Sequence, residues 1–106
     1  MNSTNFIENK YKKWYFSIIE NAKNRTYIHS KYEKHHIIPS SLGGNNSPDN
    51  IVLLTFREHF ICHHLLTKFT ESLDRSKMCN ALRLMMNSSS SNNRILTDRQ
   101  YQIVRY

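Results

Sequence analysis

Apolar positions recur along this chain with a helical period, then a strand-like one, then a helical one again. From about Phe6 to Asn24, Ile7, Tyr11, Trp14, Tyr15, Ile18, Ile19 and Ala22 fall on one face, with Lys12, Lys13, Glu20 and Lys23 on the other. That spacing predicts a helix whose aromatic stripe packs into the core. Asn24-Arg25-Thr26 ends it, and Tyr27-Ile28-His29-Ser30-Lys31-Tyr32 leads into a strand. Ile37-Ile38 and Ile51-Val52-Leu53-Leu54 are short β-branched or apolar runs, separated by a loop from Pro39 to Asn50 rich in Ser, Gly and Asn. This pattern predicts two short antiparallel strands joined by a long loop. Within it, Gly43-Gly44 marks positive φ or a close approach of backbone.

Thr55-Phe56-Arg57-Glu58 has the form of a capping box, threonine at the N-cap and glutamate three residues on, so a helix is expected from about Thr55 to Phe69. Cys62, Leu65, Leu66 and Phe69 should pack inward from it. A further helix is expected from Leu73 to Asn87, with Met78, Ala81, Leu82 and Met85 as its apolar face. Residues 87–93 read as a Ser/Asn linker. Thr97-Asp98-Arg99-Gln100 opens a short last helix with Tyr101, Ile103 and Val104. The expected fold class is α+β, a hairpin and helix flanked by an N-terminal helix and C-terminal helices. It forms one domain over residues 1–106: lead-in 1–31, central motif 32–70, and C-terminal helices 71–106.

The chemistry is concentrated in the central motif. Five of the six histidines lie there: His35, His36, His59, His63 and His64. Imidazole is both a metal ligand and a general base near neutral pH. On the expected helix His59 and His63 stand one turn apart on the same face, with Cβ atoms roughly 5–6 Å apart, close enough to share one ion. A third ligand must come from elsewhere. The end of the first strand offers His35 and His36, and because successive strand residues point to opposite faces, one of the pair can face the ion. Glu33 shares the face of His35. His64 projects roughly 140° away from His59 at 100° per residue, which makes it a surface residue or one facing a polyanionic partner. Arg25 is a candidate to reach the same site. Cys62 reads as a small buried hydrophobe.

Taken together, Glu33-x-His35-His36-Ile37-x-Pro39, Gly43-Gly44, Asn50-x-x-x-Leu54-Thr55 and Glu58-His59-x-x-x-His63 resemble the HNH (ββα-metal) nuclease motif. Its form here resembles the small HNH endonucleases of bacteriophages, including free-standing homing endonucleases, and the nuclease domains of DNase bacteriocins. The close likeness covers about a third of the chain. It implies a ββα-metal core and a DNA endonuclease. His35, His59 and His63 would hold one divalent ion (Mg²⁺, Mn²⁺, Ni²⁺ or Zn²⁺), and His36 would be the general base. Asn50 would hold the loop and orient His36, and Glu33 would support the site from behind its ligands. Lys34, Arg57 and His64 are the expected DNA contacts. The implied products carry 5′-phosphate and 3′-hydroxyl ends.

Composition adds a partner and removes several classes. The chain has 15 Lys+Arg against 8 Asp+Glu, a formal charge of +7, which suits a polyanion such as double-stranded DNA. Two cysteines, Cys62 and Cys79, with no Cys-x-x-Cys, imply neither a disulfide framework nor a zinc ribbon. A P-loop is excluded, because no Gly-Lys-Ser/Thr occurs. No run is apolar enough for a signal segment or a membrane span, so the expected site of action is the cytoplasm, the host's if the chain is phage-encoded. Longer phage relatives continue into a separate DNA-recognition region. A chain of this length is therefore expected to nick loosely, to act as a monomer or homodimer, or to rely on a phage partner protein. Two other functions share these features: a non-catalytic metal-stabilised DNA-binding module, and a nonspecific nuclease of DNA or RNA.

Overall fold

In the computed structural model, which describes residues 5–26 and 31–91, the central element is a two-stranded antiparallel sheet. β1 (Glu33–His36) pairs with β2 (Ile51–Leu54) in the register Glu33↔Leu54, Lys34↔Leu53, His35↔Val52 and His36↔Ile51. Directly opposite residues share a face. His35, Val52 and Leu54 turn inward and are buried, while Lys34 and Leu53 lie on the other side. The strand therefore sits earlier than Ile37-Ile38. Ile37 is instead buried in the bend that follows β1, and the paired histidines are strand residues themselves.

A two-stranded hairpin is marginal by itself, and this one is stabilised by the helices packed on it. α1 (Lys10–Asn24) starts later than the apolar period implies. Asn9 is the reason: its Oδ1 accepts the Lys12 backbone N–H at 3.0 Å, capping the helix, while its Nδ2 donates to Lys68 O at 3.0 Å. The preceding residues run along the core, and Ile7 N donates to Phe69 O at 2.8 Å. Tyr15, Ile19 and Ala22 form the buried face of α1. Trp14, expected in that stripe, is 51% exposed.

α2 (Phe56–Leu66) begins with the capping box read from the sequence. Glu58 N donates to Thr55 Oγ1 at 3.2 Å, and Thr55 N donates to Glu58 Oε1 at 2.9 Å. The helix ends at Leu66, short of Phe69. α3 (Ser72–Ser91) continues through the first part of the run expected to be a linker. The later helix from Thr97, and His29, lie outside the described residues.

The main core joins Tyr15, Ile19 and Ala22 of α1 to Val52 and Leu54 of β2, Cys62, Leu65 and Leu66 of α2, Phe69, and Met78 of α3. Burying each large apolar side chain contributes roughly 1.5–3 kcal/mol. A smaller cluster of Phe60, Leu82 and Met85 seals α2 against α3. The fold is thus α+β, with a ββα core flanked by a helix on either side in sequence.

The long loop between the strands is compact rather than open. It contains 3-10 turns at Ser40–Leu42 and Pro48–Asn50. Both glycines have the roles their sequence implies. Gly43 closes the first turn with φ 97°. A Cβ on Gly44 would lie 1.7 Å from Ile38 O, so only glycine fits there.

Candidate functional site

Four of the five clustered histidines converge at one cleft. Its volume is about 180 Å³, and its walls include Lys34, His35, His36, Ser40, His59 and His63. His59 and His63 come from adjacent turns of α2, with their Nε2 atoms 3.1 Å apart. His35 comes from the inward face of β1, its ring 5.1 Å from that of His59 and 5.2 Å from that of His63. One nitrogen from each of the three lies within 4.8 Å of the others. The strand pleat resolves which of the adjacent pair faces inward: His35 is 2% exposed, and His36 sits on the opposite, more open side.

Each cluster member is held neutral or oriented by a definite cause. Burial, reinforced by the neighbouring imidazoles of His63, His59 and His36, pushes His35 down to about 2. Burial and His59 push His63 down to about 4. Both rings are therefore uncharged at neutral pH, the state a ligand needs. His59 bonds through Nδ1 to Glu33 Oε1 at 2.8 Å. In the neutral ring this bond puts the proton on Nδ1 and leaves Nε2 with the lone pair. The buried Nδ1 of His63 has no hydrogen-bond partner among the described residues. Three imidazoles around one point, one of them backed by a carboxylate, form a donor set that fits a divalent metal ion. The helix and hairpin thus make a ββα-metal core.

The remaining expected residues divide. Glu33 stands behind His59. Asn50 is 2% exposed and holds the loop. Its Oδ1 accepts from Ile38 N at 2.8 Å, and its Nδ2 donates to Ile38 O at 2.9 Å and Asn45 O at 2.8 Å. The side-chain bond to His36 comes instead from Asn46, whose Oδ1 lies 2.7 Å from His36 Nε2. Asn50 thus acts on the backbone around His36, not on its ring. Lys34 is exposed at the cleft rim, and Arg57 is exposed at the start of α2. His64 is a correction: it is 8% exposed, not a surface group, and burial together with Lys68 lowers its pKa. The angular estimate was right about its divergence from His59, but that direction is occupied by protein.

Arg25 does not line the cleft. Its guanidinium makes a bidentate pair with Glu58 at 2.6 and 2.7 Å and also donates to Leu53 O at 3.1 Å. Burial raises the Glu58 pKa, but the hydrogen bonds from Arg25 and Thr55 outweigh it and hold the carboxyl below its ordinary value. This pair locks the start of α2 to the end of α1 and to β2. Cys62 is buried, and burial with the nearby Glu58 charge pushes its thiol up to about 12, consistent with packing rather than ligation. Two residues escaped the sequence reading. Asn46 looked like ordinary loop, and Tyr15 looked like pure core, although a buried tyrosine hydroxyl always requires a partner.

The chain matches proteins encoded by a bacteriophage. It is 36% identical over 94 residues to "Probable mobile endonuclease C" of Enterobacteria phage T4, covering 86% of this chain and 41% of that protein. It is 55% identical over 62 residues to "Probable mobile endonuclease D" of the same phage, covering 55% of this chain and 24% of that protein. The match to "Probable mobile endonuclease E" is 45% over 58 residues. The chain is a relative of the phage T4 mobile endonucleases. A span of 86% of the chain leaves out about one residue in seven, so wherever it begins, the match to mobile endonuclease C contains residues 33–66. This chain spans less than half the length of the mobile endonucleases it matches. No protein-family model and no solved structure matches it. Among the described residues, no helix is long and apolar enough to cross a membrane.

Proposed function

We propose that this chain is an HNH-type, metal-dependent DNA endonuclease of phage origin, hydrolysing phosphodiester bonds at the histidine cleft and acting in the host cytoplasm. The observation that carries this reading is the convergence of His35, His59 and His63 on one point beside a separate, differently held His36. The names of the T4 relatives point to the same activity. The word mobile in those names favours a homing-derived role, with genome processing as the alternative.

His35, His59 and His63 would hold one divalent ion. Bound there, it supplies Lewis-acid polarisation of a phosphate oxygen and offsets charge on the departing 3′-oxygen. Three imidazoles favour Zn²⁺, Ni²⁺ or Mn²⁺ over Mg²⁺. His36 takes the proton from the attacking water. With Asn46 Oδ1 accepting from Nε2–H, the lone pair of His36 lies on Nδ1, ready to act as base. Asn50 keeps the loop that carries Asn46 folded against Ile38. Lys34, at the rim, and Arg57 supply positive charge for the phosphate backbone of double-stranded DNA, and the formal +7 of the whole chain attracts it. His64, being buried, drops out of the contact set.

The test is supercoiled-plasmid cleavage with EDTA, Mg²⁺, Mn²⁺, Ni²⁺ and Zn²⁺ compared side by side. The expected result is nicking or linearisation that requires a metal and stops with EDTA. Intact plasmid under every metal, with DNA still retarded in a gel, would replace this reading with a metal-stabilised DNA-binding module. Equal degradation of RNA and single-stranded DNA would make it a nonspecific nuclease.

A further inference from the structure

We propose that Tyr15 of α1 is a positioning residue for the metal site: its hydroxyl sets the tautomer of His35 and so selects the nitrogen that His35 offers to the ion. This inference rests on the metal-site reading above. Tyr15 is fully buried. Its Oη lies 2.7 Å from His35 Nε2 and 2.7 Å from Ile37 O. A hydroxyl carries one proton, and a carbonyl can only accept. The Tyr15 proton therefore goes to Ile37 O, and the second bond forms only if His35 Nε2–H donates to Oη. A neutral imidazole with its proton on Nε2 has its lone pair on Nδ1, which becomes the ligand atom.

The hydroxyl is not free to swing away. The Tyr15 ring packs edge-on against Phe16 at 5.0 Å and tilted against Phe69 at 5.3 Å. Its partner Ile37 O belongs to the residue two places after His35, so the same oxygen ties the ring to the backbone that carries it. Glu33 and Tyr15 then perform parallel tasks for two ligands. The carboxylate commits His59 to Nε2, and the hydroxyl commits His35 to Nδ1. α1 supplies none of the cleft's lining residues and reaches His35 of β1 through this hydroxyl.

The experiment uses the full chain. Long-range ¹H–¹⁵N spectra of the metal-free protein should show His35 protonated on Nε2; protonation on Nδ1 would overturn the proposal. In Tyr15→Phe the preference for Nε2–H should weaken, and Zn²⁺ affinity by calorimetry should fall about 10–100-fold. Unchanged affinity with an unchanged tautomer would also overturn it. Ile19→Val, one turn along the same buried face, loosens the core without touching His35 and should bind Zn²⁺ like wild type. An equal loss in Ile19→Val would reduce Tyr15 to packing alone. Failure of the wild type itself to bind any of the four metals would instead remove the metal-site reading, and this inference with it.

Discussion

His35 and His36 are neighbours in the chain and opposites in environment. His35 is buried, faces two other imidazoles, and is held by a tyrosine on a separate helix. His36, one residue on, is half-exposed and is held by Asn46, a loop residue at the surface. The strand pleat alone separates them, since side chains alternate across it. The difference shows how one dipeptide can serve two chemistries. A ligand must be neutral, fixed and desolvated, and the core provides that. A base must meet water and substrate, and a loop at the cleft edge provides that instead. β1 carries both, but their side chains have separate supports: Tyr15 of α1 for His35, and Asn46 of the Pro39–Asn50 loop for His36.

That separation can be attacked from either side. The largest effect is expected from Gly44→Ala. The added methyl collides with Ile38 O and crowds the Asn50 amide, so the loop that positions Asn46 must move. Plasmid cleavage should fall by about 10²-fold or more, the scale of a lost general base. Zn²⁺ binding should survive within a few-fold, because no ligand lies on the loop. Equal loss of both would mean that the two regions are one unit. Glu33→Gln works on the other side. Removing the carboxylate charge behind His59 should weaken Zn²⁺ binding by about 10–100-fold in calorimetry while the chain stays folded.

A further effect is on stability. His35 and His63 titrate at about 2 and about 4 in the folded chain, against about 6.5 for an unfolded histidine. Below that value the unfolded state binds protons that the folded state refuses, so stability decreases as pH falls. The urea midpoint of the metal-free protein should drop between about pH 6.5 and pH 4 and hold level above pH 7. A flat midpoint across that interval would mean that the cluster is more open to water than the structure has it.

How much of this was legible beforehand depends on range. Local signals were read correctly: the Thr55 capping box, the i, i+4 pair on α2, the strand at Ile51–Leu54 and the need for glycine at positions 43 and 44. Each depends on residues only a few positions apart. What failed depended on distant partners. Asn9 shortened α1 because its amide also reaches Lys68. His64 was taken for a surface group because helical angle gives direction but not what fills it. The first strand was expected to run on through Ile37-Ile38 by β propensity, whereas its pairing with β2 ends at His36. Arg25 could not be located because Glu58 lies 33 residues away. Tyr15 and Asn46 were missed for the same reason, as hydrogen bonds across the fold leave no periodic trace.

The most direct test of the division between ligands and base is Zn²⁺ calorimetry on His36→Ala and His59→Ala, run beside plasmid cleavage by the same samples. Both variants should fail to cleave. His36→Ala should bind Zn²⁺ as the wild type does, and His59→Ala should bind it far more weakly or not at all. Loss of Zn²⁺ binding in His36→Ala would make His36 a ligand and contradict the account at its centre.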